Sequence, residues 1–541
     1  MSSSCNPWAA LTIRKKGKTM RRLATVVSLT ILATIGGMAA ANAAPADWVN
    51  VPGYVAPQTS GELAGTLISS VEIPTPVTVK VSARTYLLTY EDGTGQTNQQ
   101  ILIVPTREYD GVRPIYDHAV PTDSLDPAKA PTKEIFAPNS SVDMSTPNAW
   151  LEGGGQVLIT DTYGKENPEY AGLNNGVRMK NGMLAAQEFV GGNAPVVCGG
   201  FSGGGLDCGR VAEDDSVYVP NYRGTVIAGS PANMTNVIQD AGGNVQSGLI
   251  SAAAMPGVLR SLPDEQKEML DSKIRPSVKL AFQVLDLGGA GSSNSTLLGL
   301  IGIRPEWLMT EGSYDDPEVQ EIFADAGLGQ RTPSAPVAVV GNLNDPWMRW
   351  DRNGAWLADK YGQAGADVTQ ITTQSNTWPA HSTIDNTRQL QWMNEQLPEG
   401  SKLTNTVDEQ ELEAPTPLQV ALAPVQSAVM NAAGDAINSI VPQISEAVDS
   451  IATDVLNQAD ATIVAPPQAA VASIPEAPAV VTTAPVPSPS VDNVSTVTEV
   501  VKSQVGAEHA PIVDEIARQV NDNPHVADFI NSLPAFQLPV G

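Results

Sequence analysis

A run of glycines around one serine constrains this chain more than any other stretch. Residues 199–205 read Gly-Gly-Phe-Ser-Gly-Gly-Gly, with apolar Val196 and Val197 before them and a predicted helix after them. Glycine permits a turn so tight that neighbouring residues cannot carry side chains, and the serine hydroxyl then stands exposed above a sheet. The pattern therefore predicts a strand–turn–helix with Ser202 as nucleophile. Because the chain has 46 glycines among 541 residues, chance can also supply this pattern, so a base and an acid must be found in the right order.

A histidine is the usual base for a serine, because a serine hydroxyl is a poor nucleophile at neutral pH. The chain has four histidines: His118, His381, His509 and His525. In α/β-hydrolases the nucleophile comes first along the chain, then the acid, then the histidine. His118 precedes the serine and the last two lie in a tail of different composition, so we predict His381 as the base. It follows a predicted strand over 367–371 and precedes a predicted helix over 384–397.

The acid that orients the histidine should follow the preceding strand. That strand is predicted over 336–340, and the turn beyond it, Gly-Asn-Leu-Asn-Asp, ends in Asp345. Asp345 is therefore the predicted acid. Asp351, six residues further along, is the alternative.

Attack on an ester builds negative charge on the carbonyl oxygen, which fixed N–H donors must stabilise. One donor is predicted to come from Gly203, the residue after the nucleophile. The other usually comes from the loop after an early strand. That strand is predicted near 114–116, so the loop spans 117–131.

Short apolar runs that alternate with helical patterns predict the fold class. Two early strands, over 85–90 and 101–104, are separated by the turn Asp-Gly-Thr-Gly. Later apolar runs lie between helical stretches, at 156–159, 195–198, 225–228 and 336–340. Strands separated by helices indicate a mostly parallel sheet with helices on both faces, and strands buried on both faces read as continuous apolar runs. We predict one α/β domain over residues 44–400.

Between about 234 and 311 the pattern changes. Helical segments such as 247–262 and 277–287 arrive without clear strands between them. Loops after the carboxyl ends of strands line the crevice where open α/β sheets bind ligands. We therefore predict a helical cap over the site, and an insertion that only completes the core is the alternative.

The first 43 residues have the layout of a secretory signal peptide. A basic stretch is followed by an apolar run to about Ala40 and by the small-residue cleavage site Ala41-Asn-Ala43. An uncleaved membrane anchor is the alternative. Cleavage removes six of the 31 basic residues and no acidic one, so 25 basic residues face 58 acidic ones and the net charge becomes −33. So acidic a surface repels nucleic acid and suits a secreted protein.

Cleavage would leave two cysteines, Cys198 and Cys208, on either side of the serine. A disulfide is one interpretation in an exported protein. We favour two unpaired buried residues, since the strand and helix of such a turn diverge. The sequence has no Cys/His cluster, so no metal site is predicted.

From residue 401 onward the composition shifts, and neither Trp nor Tyr occurs. Apolar residues recur every three or four positions over 401–463 and predict an amphipathic helical extension. Residues 464–490 are rich in Pro and Ala and predict a linker, and residues 491–541 predict a short helical tail. Attachment to the cell envelope or to lipid is one interpretation of this tail, and a helical pad on the main domain is the other.

Taken in order, these motifs resemble the secretory lipases typified by Candida antarctica lipase A. The resemblance covers roughly 60–400. The motifs that carry it are the early strand pair ending in Val-Pro105, Asp161-Thr-Tyr-Gly164, the glycine-rich turn followed by Ala212-Glu213, the helical insertion, Gly341 to Asp345, and His381. Members of the family carry a loop aspartate that serves the oxyanion hole in a stretch like Asp-Ser followed by Ala-Pro. Here Asp123-Ser124 precedes Ala130-Pro131, so the resemblance assigns that role to Asp123.

The resemblance implies an α/β-hydrolase fold with a helical cap and lipase or carboxylesterase activity on acylglycerols or related lipid esters. No metal or organic cofactor is needed for that chemistry. Two alternatives stay open. One is an acyltransferase that uses the same triad on envelope glycolipids. The other is a non-catalytic envelope scaffold whose tail is the functional part.

Overall fold

The fold is taken from a computed structural model that describes residues 58–121, 130–137, 140, 142–162, 172–241, 257–276, 278–279, 309–310, 312–345, 347–375, 381 and 383–404. The chain divides into two compact units, and every described residue belongs to the first, which comprises Met1–Pro415 and Ala433–Asn457. The predicted signal peptide and the predicted segments 405–463, 464–490 and 491–541 lie outside the described residues.

The described residues form one nine-stranded sheet. Its strands are β1 Leu67–Ile73, β2 Ala83–Glu91, β3 Thr97–Pro105, β4 Ile115–Ala119, β5 Gln156–Thr160, β6 Val196–Phe201, β7 Tyr222–Ala228, β8 Val337–Asn342 and β9 Val368–Thr373. Their order across the sheet is β1-β2-β3-β5-β4-β6-β7-β8-β9. The pairs β1–β2, β2–β3 and β3–β5 are antiparallel, and the remaining pairs are parallel. The predicted mostly parallel sheet is confirmed.

Helices cover both faces of this sheet, as predicted. They are α1 Pro131–Glu134, α2 Ser145–Glu152, α3 Asn175–Phe189, α4 Gly203–Glu213, α5 Met234–Ala241, α6 Asp264–Lys273, α7 Pro317–Ala326, α8 Gly354–Gln363 and α9 Asn386–Gln396. Short 3-10 helices span Ser313–Asp315 and Glu399–Ser401. None of the described helices combines the length and the apolar character that crossing a membrane requires.

Alternate residues of one strand divide the core into two layers. Val197 of β6 packs in a cluster with Trp150 of α2 and Trp392 of α9. Its neighbour Val196 packs in a second cluster with Met183 of α3. Successive side chains of a strand point to opposite faces, so these helices must lie on opposite sides of the sheet. Because both faces are covered, the central strands can be apolar at every position.

The strand at one edge of the sheet was not predicted from the sequence. β1 reads Leu-Ile-Ser-Ser-Val-Glu-Ile, and its middle five residues are exposed. An edge strand with solvent on both sides has neither the continuous apolar run of a buried strand nor a clean alternation, and so it gives no periodic signal. The central strands were predicted because burial dictates their composition.

Only part of the predicted cap over 234–311 is described. Met234 and Ile238 of α5 and Leu270 of α6 are buried in one cluster with Phe323 of α7 and Val339 of β8. The described part of the insertion therefore contributes to a core layer. Residues 242–256 and 280–308 lie outside the description, so a cap over the site stays a prediction.

Candidate active site

The serine predicted as nucleophile lies on a sharp turn between β6 and α4. Its backbone angles are φ 55° and ψ −119°, and it immediately precedes the first residue of the helix. A positive φ is uncommon for a residue with a side chain and marks strain that the surroundings must hold. Ser202 N–H donates to the Ala228 carbonyl of β7 at 2.8 Å, and Leu206 N–H donates to the Ser202 carbonyl at 3.1 Å.

Two glycines are required by the close approach of the strand and helix at this turn. A Cβ atom at Gly200 would overlap the carbonyl of Gly204. A Cβ atom at Gly204 would overlap the carbonyl of Ala119, at the end of the neighbouring strand β4. The glycines of the motif are thus dictated by sterics, and the predicted strand–turn–helix is the local structure that the chain adopts.

The structure brings Ser202, Asp345 and His381 together at the carboxyl ends of β6, β8 and β9. The Nε2 atom of His381 lies 3.1 Å from Ser202 Oγ. The Nδ1 atom lies 2.6 Å from Asp345 Oδ2. A carboxylate can only accept hydrogen bonds, so Nδ1 carries the proton and Nε2 is left as the acceptor for the serine hydroxyl. This is the arrangement that removes the proton from an attacking serine.

The carboxylate of the acid is fixed on both oxygens. Asp345 Oδ1 accepts backbone N–H bonds from Trp347 at 2.8 Å and from Met348 at 3.0 Å. Its Oδ2 is thereby directed at the histidine. The side chains of Asp345 and His381 are 2% and 5% exposed, so their interaction is little screened by water.

Two aromatic rings pack against the histidine. The ring centroid of Phe201 lies 4.7 Å from that of His381, and the Trp347 centroid lies 5.0 Å away. The rings exclude water from the imidazole and limit its orientation. Reasoning from the sequence missed Phe201, Trp347 and the N–H groups that hold the aspartate. The signal in the sequence was Asp345 itself, because an aspartate can accept the backbone N–H of the residue two positions on, here Trp347, in an Asx turn.

The alternative acid is excluded by its position. Asp351 forms an ion pair with Arg349 at 2.8 Å, and both side chains are largely exposed. His118 is paired with a different side chain: its Nδ1 lies 3.1 Å from the Tyr116 hydroxyl. Burial lowers the pKa of His118 to about 4. His509 and His525 lie outside the described residues.

Of the two predicted oxyanion donors, the structure describes Gly203 but not Asp123. Gly203 is the first residue of α4, where backbone N–H groups have no partner inside the helix and the helix dipole favours negative charge. Asp123 lies outside the described residues. The strand before its loop, β4, pairs with β6, with Ala119 opposite Gly200. The chain therefore leaves β4 beside the nucleophile turn, as the predicted loop requires.

The expectation that the two cysteines stay unpaired is wrong. Cys198 and Cys208 form a disulfide, with Cα atoms 5.7 Å apart. Helix α4 packs on β6 closely enough for its sixth residue, Cys208, to reach the strand. Within the described part of the chain, no group of three or more His, Cys, Asp or Glu side chains is arranged to hold a metal ion.

Comparison with known proteins finds similarity to lipases. The family model described as secretory lipase matches residues 137–405, a range that contains all three residues brought together above. A secreted triacylglycerol lipase of Malassezia globosa is 31% identical over 233 residues, which cover 38% of this chain and 49% of that protein. A probable inactive lipase of Mycobacterium tuberculosis is 27% identical over 238 residues, which cover 41% of this chain and 50% of that protein. The chain thus spans about half the length of these relatives.

Among solved structures, Candida antarctica lipase A in its closed state superposes with a TM-score of 0.52 and 15% identity, covering 72% of this chain and 94% of that one. A likeness at this identity concerns the fold, and the predicted α/β-hydrolase fold is confirmed. The fold, the glycine-rich turn and the family match lead to one conclusion: residues 137–405 of this chain are similar to the secretory lipase family.

Proposed function

We propose that this protein is a secreted serine ester hydrolase, a lipase or carboxylesterase that cleaves acylglycerols or related lipid esters. The observation that carries the proposal is the hydrogen-bonded series Ser202, His381 and Asp345, with separations of 3.1 and 2.6 Å. The match of residues 137–405 to the secretory lipase family supports the ester as the bond that is cleaved.

In the proposed reaction Ser202 Oγ attacks the ester carbonyl while His381 Nε2 takes the hydroxyl proton. The ester C–O bond breaks, and His381 returns the proton to the leaving alcohol. His381 then takes a proton from water, and the water oxygen attacks the carbonyl carbon of the acyl-enzyme. The bond to Ser202 Oγ breaks, His381 returns the proton to Ser202, and the fatty acid leaves. Asp345 stabilises the imidazolium at each step, because its second oxygen is already held by two backbone N–H groups.

The carbonyl oxygen becomes negative in each tetrahedral intermediate. We assign one donor to the N–H of Gly203, at the positive end of α4, and the other to the loop that carries Asp123. The reaction requires no metal and no organic cofactor, since the side chains supply nucleophile, base and acid.

The proposed location is outside the cell. It rests on the basic and apolar layout of residues 1–43 and on the net charge of −33 that remains when six basic residues leave a chain with 31 basic and 58 acidic ones. Relatives that are named secreted triacylglycerol lipases support it. Contact of the C-terminal tail with the envelope or a lipid surface belongs to the same proposal.

The test is Ser202→Ala, assayed on p-nitrophenyl esters of increasing acyl length. We expect hydrolysis to fall by about 10⁴-fold or more while circular dichroism remains that of the native protein. Ser216→Ala is the matched control, because Ser216 is exposed and bonded only to the nearby Asp214. Hydrolysis that survives in a folded Ser202→Ala variant would contradict the assignment.

One relative favours a second candidate function. The relative from Mycobacterium tuberculosis is named a probable inactive lipase, so a non-catalytic scaffold is an outcome to be tested. The assembled triad argues against it. A fluorophosphonate probe, which phosphonylates only an activated serine, separates the two: labelling that Ser202→Ala abolishes supports the enzyme, and absence of labelling in folded wild type supports the scaffold.

A further inference from the structure

The disulfide between Cys198 and Cys208 joins the two arms of the nucleophile turn. Cys198 lies in β6, before Ser202, and Cys208 lies in α4, after it. Both cysteines are fully buried, and they are ten residues apart in sequence. The bond therefore closes a ring of chain that contains the serine and every glycine from 199 to 205.

Within this ring the backbone of Ser202 is strained, while the flanking glycines have a wide range of allowed backbone angles. Ser202 holds φ 55° although it carries a side chain. Such a conformation persists only when the surroundings determine it fully. The glycines on either side offer little resistance to other backbone conformations, because glycine has the widest range of allowed angles.

The hydrogen bonds at the turn do not join its two arms to each other. The Ser202 N–H is held by Ala228 of β7, and the Ser202 carbonyl accepts the bond from Leu206 within α4. Strand and helix meet through the contact of Gly200 with Gly204, which is packing between backbones. The disulfide adds the covalent link between the arms, four residues before the serine and six after it.

We propose that Cys198 and Cys208 are positioning residues for the nucleophile: their disulfide fixes β6 against α4 and so holds Ser202 Oγ at 3.1 Å from His381 Nε2. The inference rests on the proposed function. Neither sulfur takes part in the reaction. A misplacement of about 1 Å at a reacting atom can cost about 100-fold in rate, so a covalent link at this point affects kcat.

The experiment compares oxidised wild type, wild type refolded with dithiothreitol present, and the double variant Cys198→Ala/Cys208→Ala. We measure kcat and KM on a p-nitrophenyl ester and the rate of fluorophosphonate labelling, well below the thermal unfolding temperature of each sample. The expected result for both samples without the bond is a fall of about 10-fold in kcat and in labelling rate, with KM changed less than about twofold. Reoxidation restores wild type and leaves the double variant unchanged.

Ile103→Val separates positioning from a general loss of stability. Ile103 is fully buried in β3, on the antiparallel side of the sheet. Its shortening destabilises the protein without touching the turn, and its kcat should equal that of wild type. Unchanged kcat and labelling rates in the double variant overturn the inference. So does failure of both bond-free samples to fold, since the bond would then act on folding alone. An unlabelled wild type overturns the proposed function instead.

Discussion

His381 Nδ1 lies 2.6 Å from Asp345 Oδ2, although the two residues are 36 positions apart in the sequence. The other oxygen of the carboxylate accepts two backbone N–H bonds, so the aspartate has one orientation open to it. The pairing fixes which imidazole nitrogen carries the proton. The site therefore depends on a hydrogen-bond pattern as much as on charge.

The first prediction concerns Asp345→Asn. The new amide oxygen should keep the bonds from Trp347 and Met348, which turns the NH₂ group toward His381. His381 Nδ1 must then act as acceptor, its Nε2 carries the proton, and it cannot take the proton of Ser202. We expect kcat to fall about 10²–10⁴-fold with KM little changed.

The control for this variant is Asp351→Asn. Asp351 was the alternative acid, but its partner is the exposed Arg349. Steady-state hydrolysis of a p-nitrophenyl ester should be within about twofold of wild type, because exposed ion pairs contribute little. Equal losses in the two variants would show that Asp345 has no special role.

The second prediction concerns Gly204→Ala. The added methyl group would overlap the carbonyl of Ala119, which is backbone of a buried strand and cannot move aside cheaply. We expect a loss of about 1–3 kcal/mol in the free energy of unfolding, together with a loss of hydrolysis. Gly362→Ala in α8 is the control, because a Cβ there meets no atom within 4 Å. Urea unfolding should find Gly362→Ala equal to wild type or more stable by up to about 1 kcal/mol.

The third prediction concerns a buried ion pair that holds α3 to the start of the sheet. Arg178 Nε lies 3.0 Å from Asp92 Oδ2, and the two side chains are 3% and 1% exposed. Arg178→Met leaves an uncompensated buried carboxylate, so we expect a loss of about 3–5 kcal/mol. Arg331→Met is the control, since its ion pair with Asp215 is 59% and 84% exposed and should contribute less than about 1 kcal/mol. Similar losses in both variants would refute this reasoning.

The fourth prediction concerns pH. Burial raises the pKa of Asp207 to about 6, against the opposing influence of Arg210 and the hydrogen bond from Asn175. The unfolded value is about 4, so between pH 4 and pH 6 the folded protein keeps a proton that the unfolded chain has lost. The contribution of Asp207 to stability is therefore present below pH 4, falls as pH rises to 6 and is constant above that.

Asp207→Asn removes this dependence, because an amide does not titrate. We expect the drop in unfolding free energy between pH 4 and pH 7 to be smaller in the variant by about 2 kcal/mol, as measured by urea unfolding at both pH values. Parallel profiles for variant and wild type would contradict the assignment of this shift to Asp207.

Much of the sheet could be predicted because burial on both faces dictates its composition. The apolar run at 195–198 and the glycines after it predict β6 and the turn, and β6 in fact runs on to Phe201. His381 was predicted as the base by counting histidines, and Asp345 was predicted as the acid by its place after a strand. Both arguments use the order of elements along the chain, which the sequence contains directly.

The edge strand β1 and the disulfide could not be predicted in the same way. An exposed strand has no characteristic pattern of apolar residues. The pairing of Cys198 with Cys208 depends on the distance at which α4 packs on β6. The same holds for the rings of Phe201 and Trp347 on His381. Each is a distance between elements, which no local pattern specifies.

The sequence by itself therefore predicted the buried strands, the tight turn at Ser202 and three candidate residues in hydrolase order. These depend on local sterics and on burial, which act within a few residues. The tertiary structure alone decided that the three side chains meet, that two backbone N–H groups fix the carboxylate, and that the turn is closed by a disulfide. Those features depend on the packing of elements far apart in sequence, where differences of about 1 Å separate a hydrogen bond from none.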